Sequence, residues 1–208
     1  MTATLTSLNV SGIRAVEYAG RQVTTGIFKE PVRGRVAVRG VNLDGDDQAD
    51  RSVHGGPFQA VYAYAAEDYA WWESTLGRSM PPGQFGENFT TQGIDISRAL
   101  VGERWRVGSA VFSVSIPRVP CYKLGMKMGD PRFLKRFAQA LRPGTYLSIV
   151  NEGLVAAGDA VEVIWRPPHH VTVREAANIF LFEHQRSNEL LVPEMPLPWR
   201  EWALSLDG

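Results

Sequence analysis

The chain runs to 208 residues, with 22 Lys and Arg against 22 Asp and Glu, a formal net charge of zero. A protein built to hold duplex DNA carries a strong basic excess, so that task is excluded, whereas a few clustered cations suffice for one small anionic ligand. A single cysteine excludes an intrachain disulfide, and no apolar run approaches the ~18 residues of a membrane span. Residues 1–7 lack the charged start and apolar run of a secretory signal, so a cytoplasmic protein is expected.

Residues 1–65 read as strands and loops, with short apolar strands at 36–38 and 60–64. Between them, residues 42–57 form a polar, glycine-rich loop. It is too long for a simple turn, and long loops inside compact domains are often functional. Residues 66–76 are predicted helical, with Tyr69, Trp72 and Leu76 on one side and Gly77 as the stop. Strands are expected at 85–91, 104–107 and 111–116, the last with Phe112, Val114 and Ile116 on one face. Asp130 as N-cap and Pro131 at the first position open a helix whose apolar stripe is Phe133, Leu134, Phe137 and Leu141. Strands follow at 146–150 and 160–165, and after Pro167-Pro168 the apolar period changes from 2 to 3.6. There Thr172 and Glu175 form a capping box, residues 189–192 suggest a second short helix, and Trp199, Trp202 and Leu206 mark a third. The predicted organisation is a mostly β body with a few helices over residues 1–166, then a small all-helical appendage over 171–208.

The lone cysteine stands where chemistry is expected. Cys121 follows the 111–116 strand on a loop braced by Pro117 and Pro120, between the cations Arg118 and Lys123. Nearby positive charge favours the thiolate, the form that attacks electrophiles and binds metals; the competing reading is a small buried hydrophobe. His54 opens Val53-His54-Gly55-Gly56-Pro57, where two glycines let the backbone approach a ligand and expose its N–H groups. The alternative is a histidine that only bonds to its own loop.

Other motifs fall away. Asp44, Asp46, Gln48 and Asp50 alternate like a calcium loop, but Ala49 and Gly55 stand where such a loop needs Gly and Glu. Four histidines and one cysteine give no structural-zinc spacing. Cys121 with His54 as its base is a minor thiol-hydrolase reading, because no hydrolase signature surrounds the cysteine. No flavin or nicotinamide pattern occurs, and pyridoxal phosphate is not expected.

Several segments taken together closely resemble the MOSC domain shared by molybdenum cofactor sulfurases and related proteins. They are residues 44–50, Val53-His54-Gly55-Gly56-Pro57, residues 60–64, Phe85-Gly86-Glu87-Asn88, residues 102–108 and residues 117–124, in the expected order. The tail from Thr172 to Leu206 resembles the three-helix appendage of the YiiM-like branch. The resemblance implies a β-barrel-like body and a molybdenum cofactor (molybdopterin) whose metal is ligated by Cys121. It also implies the reduction of N-hydroxylated bases such as 6-hydroxylaminopurine, with electrons from a separate reductase. His54, Gly55 and Gly56 would then line the site, and Glu87 and Asn88 would hold cofactor or loop. Arg118 and Lys123, with Lys29 and Arg14, could contact the cofactor phosphate. The alternative is a sulfur carrier that holds a persulfide on Cys121. A third reading makes the helical tail a docking module for the reductase.

Overall fold

The computed structural model describes residues 2–49 and 55–206. Strands β1 (Thr4–Val10), β2 (Arg14–Tyr18), β3 (Arg21–Thr25), β4 (Glu30–Pro31), β5 (Val36–Arg39) and β6 (Asn42–Leu43) come first. Next are β7 (Val61–Ala65), α1 (Ala66–Leu76), β8 (Phe89–Gln92), a 3-10 turn at Ile96–Arg98, β9 (Arg104–Val107) and β10 (Ala110–Pro117). Then follow α2 (Tyr122–Met128), α3 (Phe133–Ala140), β11 (Thr145–Asn151), β12 (Gly153–Val155) and β13 (Val161–Trp165). The tail holds α4 (Val173–Phe182), a 3-10 helix at His184–Leu190 and α5 (Leu197–Ser205).

The main sheet has eight strands in the order β13-β9-β10-β11-β7-β8-β1-β4. Its parallel pair, β7 with β8, is joined through α1, the kind of crossover that parallel strands require. Among the described residues the expected barrel is not found as a closed barrel. The sheet curls until the start of β13 meets β1 at one bridge, Thr4 with Ala160, flanked by Leu5 N–H to Asp159 O at 2.9 Å and Val161 N–H to Ala3 O at 2.8 Å. The architecture is mixed α+β: a sheet-rich body with several helices.

Alternation along the strands sends one face into the core. Leu5, Leu8, Phe89, Trp105, Phe112 and Leu147 are fully buried there. A second, aromatic core packs α1, α2 and α3 against β7. In it Tyr64 stacks on Phe85 at 4.3 Å between centroids, and the Trp72 indole N–H donates to the Tyr64 hydroxyl at 2.8 Å.

Some expected elements end elsewhere. Residues 85–88 are a turn, not strand, because Gly86 adopts φ 75° and the Glu87 carboxylate takes up the N–H groups of Gly83 and Phe85. α3 begins at Phe133, since the Asp130 carboxylate caps the preceding turn by accepting from Arg132 N–H at 2.9 Å. Leu141 is not part of the stripe but ends the helix at φ 47°. α2 was not expected at all.

The appendage packs on the body. Ile179, Leu190, Trp199 and Ala203 bury against Val101 and Ile116, so the tail braces the end of β10. Its capping box is complete: Thr172 Oγ1 accepts from Glu175 N–H at 3.1 Å, and Glu175 accepts from Thr172 N–H at 3.0 Å. Thr172→Ala is expected to cost about 1 kcal/mol, read as a lower urea midpoint at unchanged m-value.

Candidate functional site

A cleft opens where β10 ends. β10 delivers Arg118 and Val119 to it, and the following turn delivers Cys121 and Lys123. The opposite wall is Thr25, Gly26, Ile27 and Lys29, with Asn88 and Gly86 from the turn after α1. Tyr62 of β7 and Tyr146 of β11 lie along the cleft, and Gln48 and Gln59 line it beside Gly55.

Cys121 is half-buried at the N-cap position of α2. Arg118 is buried beneath it. Its guanidinium donates to the Phe85 carbonyl and lies over the Tyr62 ring, 4.9 Å from the centroid. Burial works against the Arg118 cation, but Tyr62, Tyr146 and Cys121 outweigh it and hold its pKa above the ordinary arginine value. Burial pushes the Tyr62 and Tyr146 phenols up, so both stay neutral. Tyr62 donates its O–H to the Pro143 carbonyl at 2.7 Å.

The facing wall rests on a buried ion pair. Lys29 donates to both oxygens of Asp46, whose side chain is fully enclosed and also accepts from Ser11 N–H at 2.9 Å and from the Asn88 amide at 3.0 Å. Burial lowers the Lys29 pKa, and Asp46 acts against that. Asp46, set aside above as part of a failed calcium loop, is the counter-ion of a cleft-lining lysine. Asn88 also accepts from Tyr62 N–H at 3.1 Å and donates to Asn9 O at 3.2 Å, tying β7 to β1.

The structure therefore brings Cys121, Arg118, Lys123, Lys29, Asn88 and Gly55 to one cleft. His54 lies outside the described residues, though Ala49 and Gly55 on either side of that stretch both line the cleft. Gly56, Glu87 and Arg14 do not line it. Glu87 sits beneath, fully buried, and accepts from the Tyr69 hydroxyl at 2.6 Å, Gly83 N–H at 2.6 Å and the Thr90 hydroxyl at 2.8 Å. It holds the loop. Arg14 is spent on the surface, donating to Phe28 O at 2.6 Å and Glu30 at 3.0 Å.

Sequence reasoning missed Lys127, on the last turn of α2. Its ammonium donates to Ile27 O at 2.8 Å and to Gly83 O. Burial pushes its pKa down to about 8, with Glu87 pulling the other way. Between that value and the ordinary lysine value of 10.5, the folded protein has released a proton that the unfolded chain still holds. Stability is therefore expected to rise with pH across that window, by roughly 3 kcal/mol at most from this group. Urea unfolding from pH ~7 to pH ~10 should show that slope in wild type and a clearly shallower one in Lys127→Gln, where the lowered Lys29 still contributes.

A model of the MOSC domain matches residues 50–162. The Bacillus subtilis (strain 168) protein YflK is 37% identical over 173 residues, covering 83% of this chain and 78% of that protein. The chain belongs to the MOSC domain family. Protein YiiM of Escherichia coli (strain K12) is 34% identical over 157 residues, covering 74% of this chain and 69% of YiiM. The crystal structure of YiiM from Geobacillus stearothermophilus superposes with a TM-score of 0.82 at 26% identity, over 99% of this chain and 100% of that one. This is a YiiM-like MOSC protein. A Gibberella moniliformis (strain M3125 / FGSC 7600) protein named "Reductase" is 31% identical over 156 residues, 71% of this chain but 27% of that longer protein. MOSC proteins are associated with the molybdenum cofactor and with oxidoreductase chemistry related to it.

The residues of this MOSC cleft fit such a group by their chemistry. A thiolate is the soft donor that suits a metal already bound through sulfur, and Arg118, Lys123 and Lys29 supply positive charge on the same cleft for a phosphate.

Proposed function

We propose that this chain is a molybdenum-cofactor-dependent reductase of N-hydroxylated compounds, 6-hydroxylaminopurine and related bases among them. The observation that carries the reading is the Cys121 thiol sharing one cleft with Arg118, Lys123 and Lys29. When bound, the cofactor supplies two-electron chemistry that converts R–NHOH, with two electrons and two protons, to R–NH2 and water.

The protein's own part is ligation, orientation and access. Cys121 would ligate the metal from its half-buried position on the cleft. Arg118 and Lys123 hold the cofactor phosphate. Lys29 contributes less, because Asp46 already neutralises it. The neutral Tyr146 phenol can donate a hydrogen bond into the cleft but not act as a base. Electrons come from a separate reductase, and the proposed setting is the cytoplasm.

The test is bound molybdenum and pterin per chain after expression in a cofactor-producing host, followed by turnover of 6-hydroxylaminopurine with a chemical reductant. Near-stoichiometric metal and pterin, with amine formed, supports the proposal. Neither metal nor pterin, even after reconstitution, sinks it, and a persulfide mass on Cys121 would then favour the sulfur-carrier reading.

A further inference from the structure

We infer that Lys127 is a positioning residue, which together with Arg118 pins the thiol-bearing segment against one turn so that Cys121 is held facing the cleft. The inference rests on the reading of Cys121 as the functional thiol. Its geometry stands on three contacts. Arg118, three residues before Cys121, donates to the carbonyl of Phe85. Lys127, six residues after it, donates to the carbonyl of Gly83. Both carbonyls belong to the turn that carries Gly86 into the cleft wall. Lys127 also donates to Ile27 O at 2.8 Å, in the segment that lines the same wall beside Gly86. One ammonium thus ties α2 to two segments that are 44 and 100 residues away in sequence.

The turn itself is rigid, because Glu87 fixes it from below through Gly83 and Phe85 N–H. A seven-residue helix such as α2 is too short to hold itself together in water. Its order has to come from packing and from these end contacts. The placement of a sheltered ammonium is costly, which burial's lowering of its pKa to about 8 reflects. An apolar residue there would avoid that cost but would free α2 from both carbonyls.

The test uses the fact that Cys121 is the chain's one cysteine, so any thiol reaction reports this site alone. Rates with N-ethylmaleimide and with a bulky maleimide are measured on the full chain. The thiolate is the nucleophile toward both reagents, so its fraction cancels in the ratio and the ratio reports access. Lys127→Met is expected to raise the bulky-to-small ratio about tenfold, as loss of a charge-assisted hydrogen bond lets the segment open. Lys127→Arg, which keeps a cation with donors, is expected to restore a ratio near wild type.

A ratio unchanged in Lys127→Met overturns the inference. Should that variant fail to fold, wild-type hydrogen exchange still decides. The amides of α2 must exchange as slowly as those of β10, and fast local exchange in α2 overturns it equally. Neither readout needs bound molybdenum, so failure here is separable from failure of the proposed activity.

Discussion

Cys121→Ser is expected to lose N-hydroxyl reduction by at least about 100-fold, because losses of 10–100-fold already follow from changes one shell beyond a metal ligand. Serine preserves size but offers a hard hydroxyl that stays protonated near neutral pH, where a thiolate is needed. Bound molybdenum should fall with activity. Stability should not. Cys121 occupies the N-cap position of α2 with extended backbone, φ −121° and ψ 164°, and serine is among the residues favoured there. The variant is therefore expected to match or exceed wild type in urea unfolding. Activity and stability moving in opposite directions is the signature of a residue kept for chemistry. A variant that unfolds more easily and retains its molybdenum would mean that Cys121 is mainly a packing residue.

How much was legible in the sequence depended on how local each signal was. The capping box at Thr172 and Glu175, the 66–76 helix with its Gly77 stop and the alternating strand that leads to Cys121 all appear where their patterns put them. Each is set by neighbours a few residues apart. α2 was hidden because Tyr122-Lys123-Leu124-Gly125-Met126-Lys127-Met128 carries an internal glycine and no capping side chain, so its helicity comes from tertiary contacts. The site residues divide in the same way. Arg118 and Lys123 flank Cys121 in sequence and were found with it. Asp46 and Lys127 act across the fold, through partners 17 and up to 100 residues distant, and no spacing rule reports such pairs. Barrel closure failed for a related reason. Whether β13 closes onto β1 depends on sheet curvature accumulated over many strands, which alternation within any one strand does not encode.

Glu87→Ala is expected to destabilise the fold by about 3–5 kcal/mol, the range for leaving several buried donors without an acceptor. Its carboxylate takes up two backbone N–H groups, of Gly83 at 2.6 Å and Phe85 at 3.1 Å, and two hydroxyls, of Tyr69 and Thr90. The hydroxyls cannot simply turn away. Tyr69 already accepts from Gln84 N–H at 2.9 Å and Thr90 from the Asn9 amide at 3.2 Å, which leaves their protons aimed at Glu87. Burial raises the Glu87 pKa, opposed by these donors, so the carboxyl is held at some cost for the sake of the turn. The turn carries Gly86 and leads directly into Asn88, both on the cleft wall. Loss of Glu87 should therefore lower the urea midpoint and cofactor content together, with Glu87→Gln intermediate because it keeps one acceptor oxygen. A residue that touched the cofactor rather than the loop would behave differently: cofactor content would fall while the unfolding free energy stayed within about 1 kcal/mol of wild type.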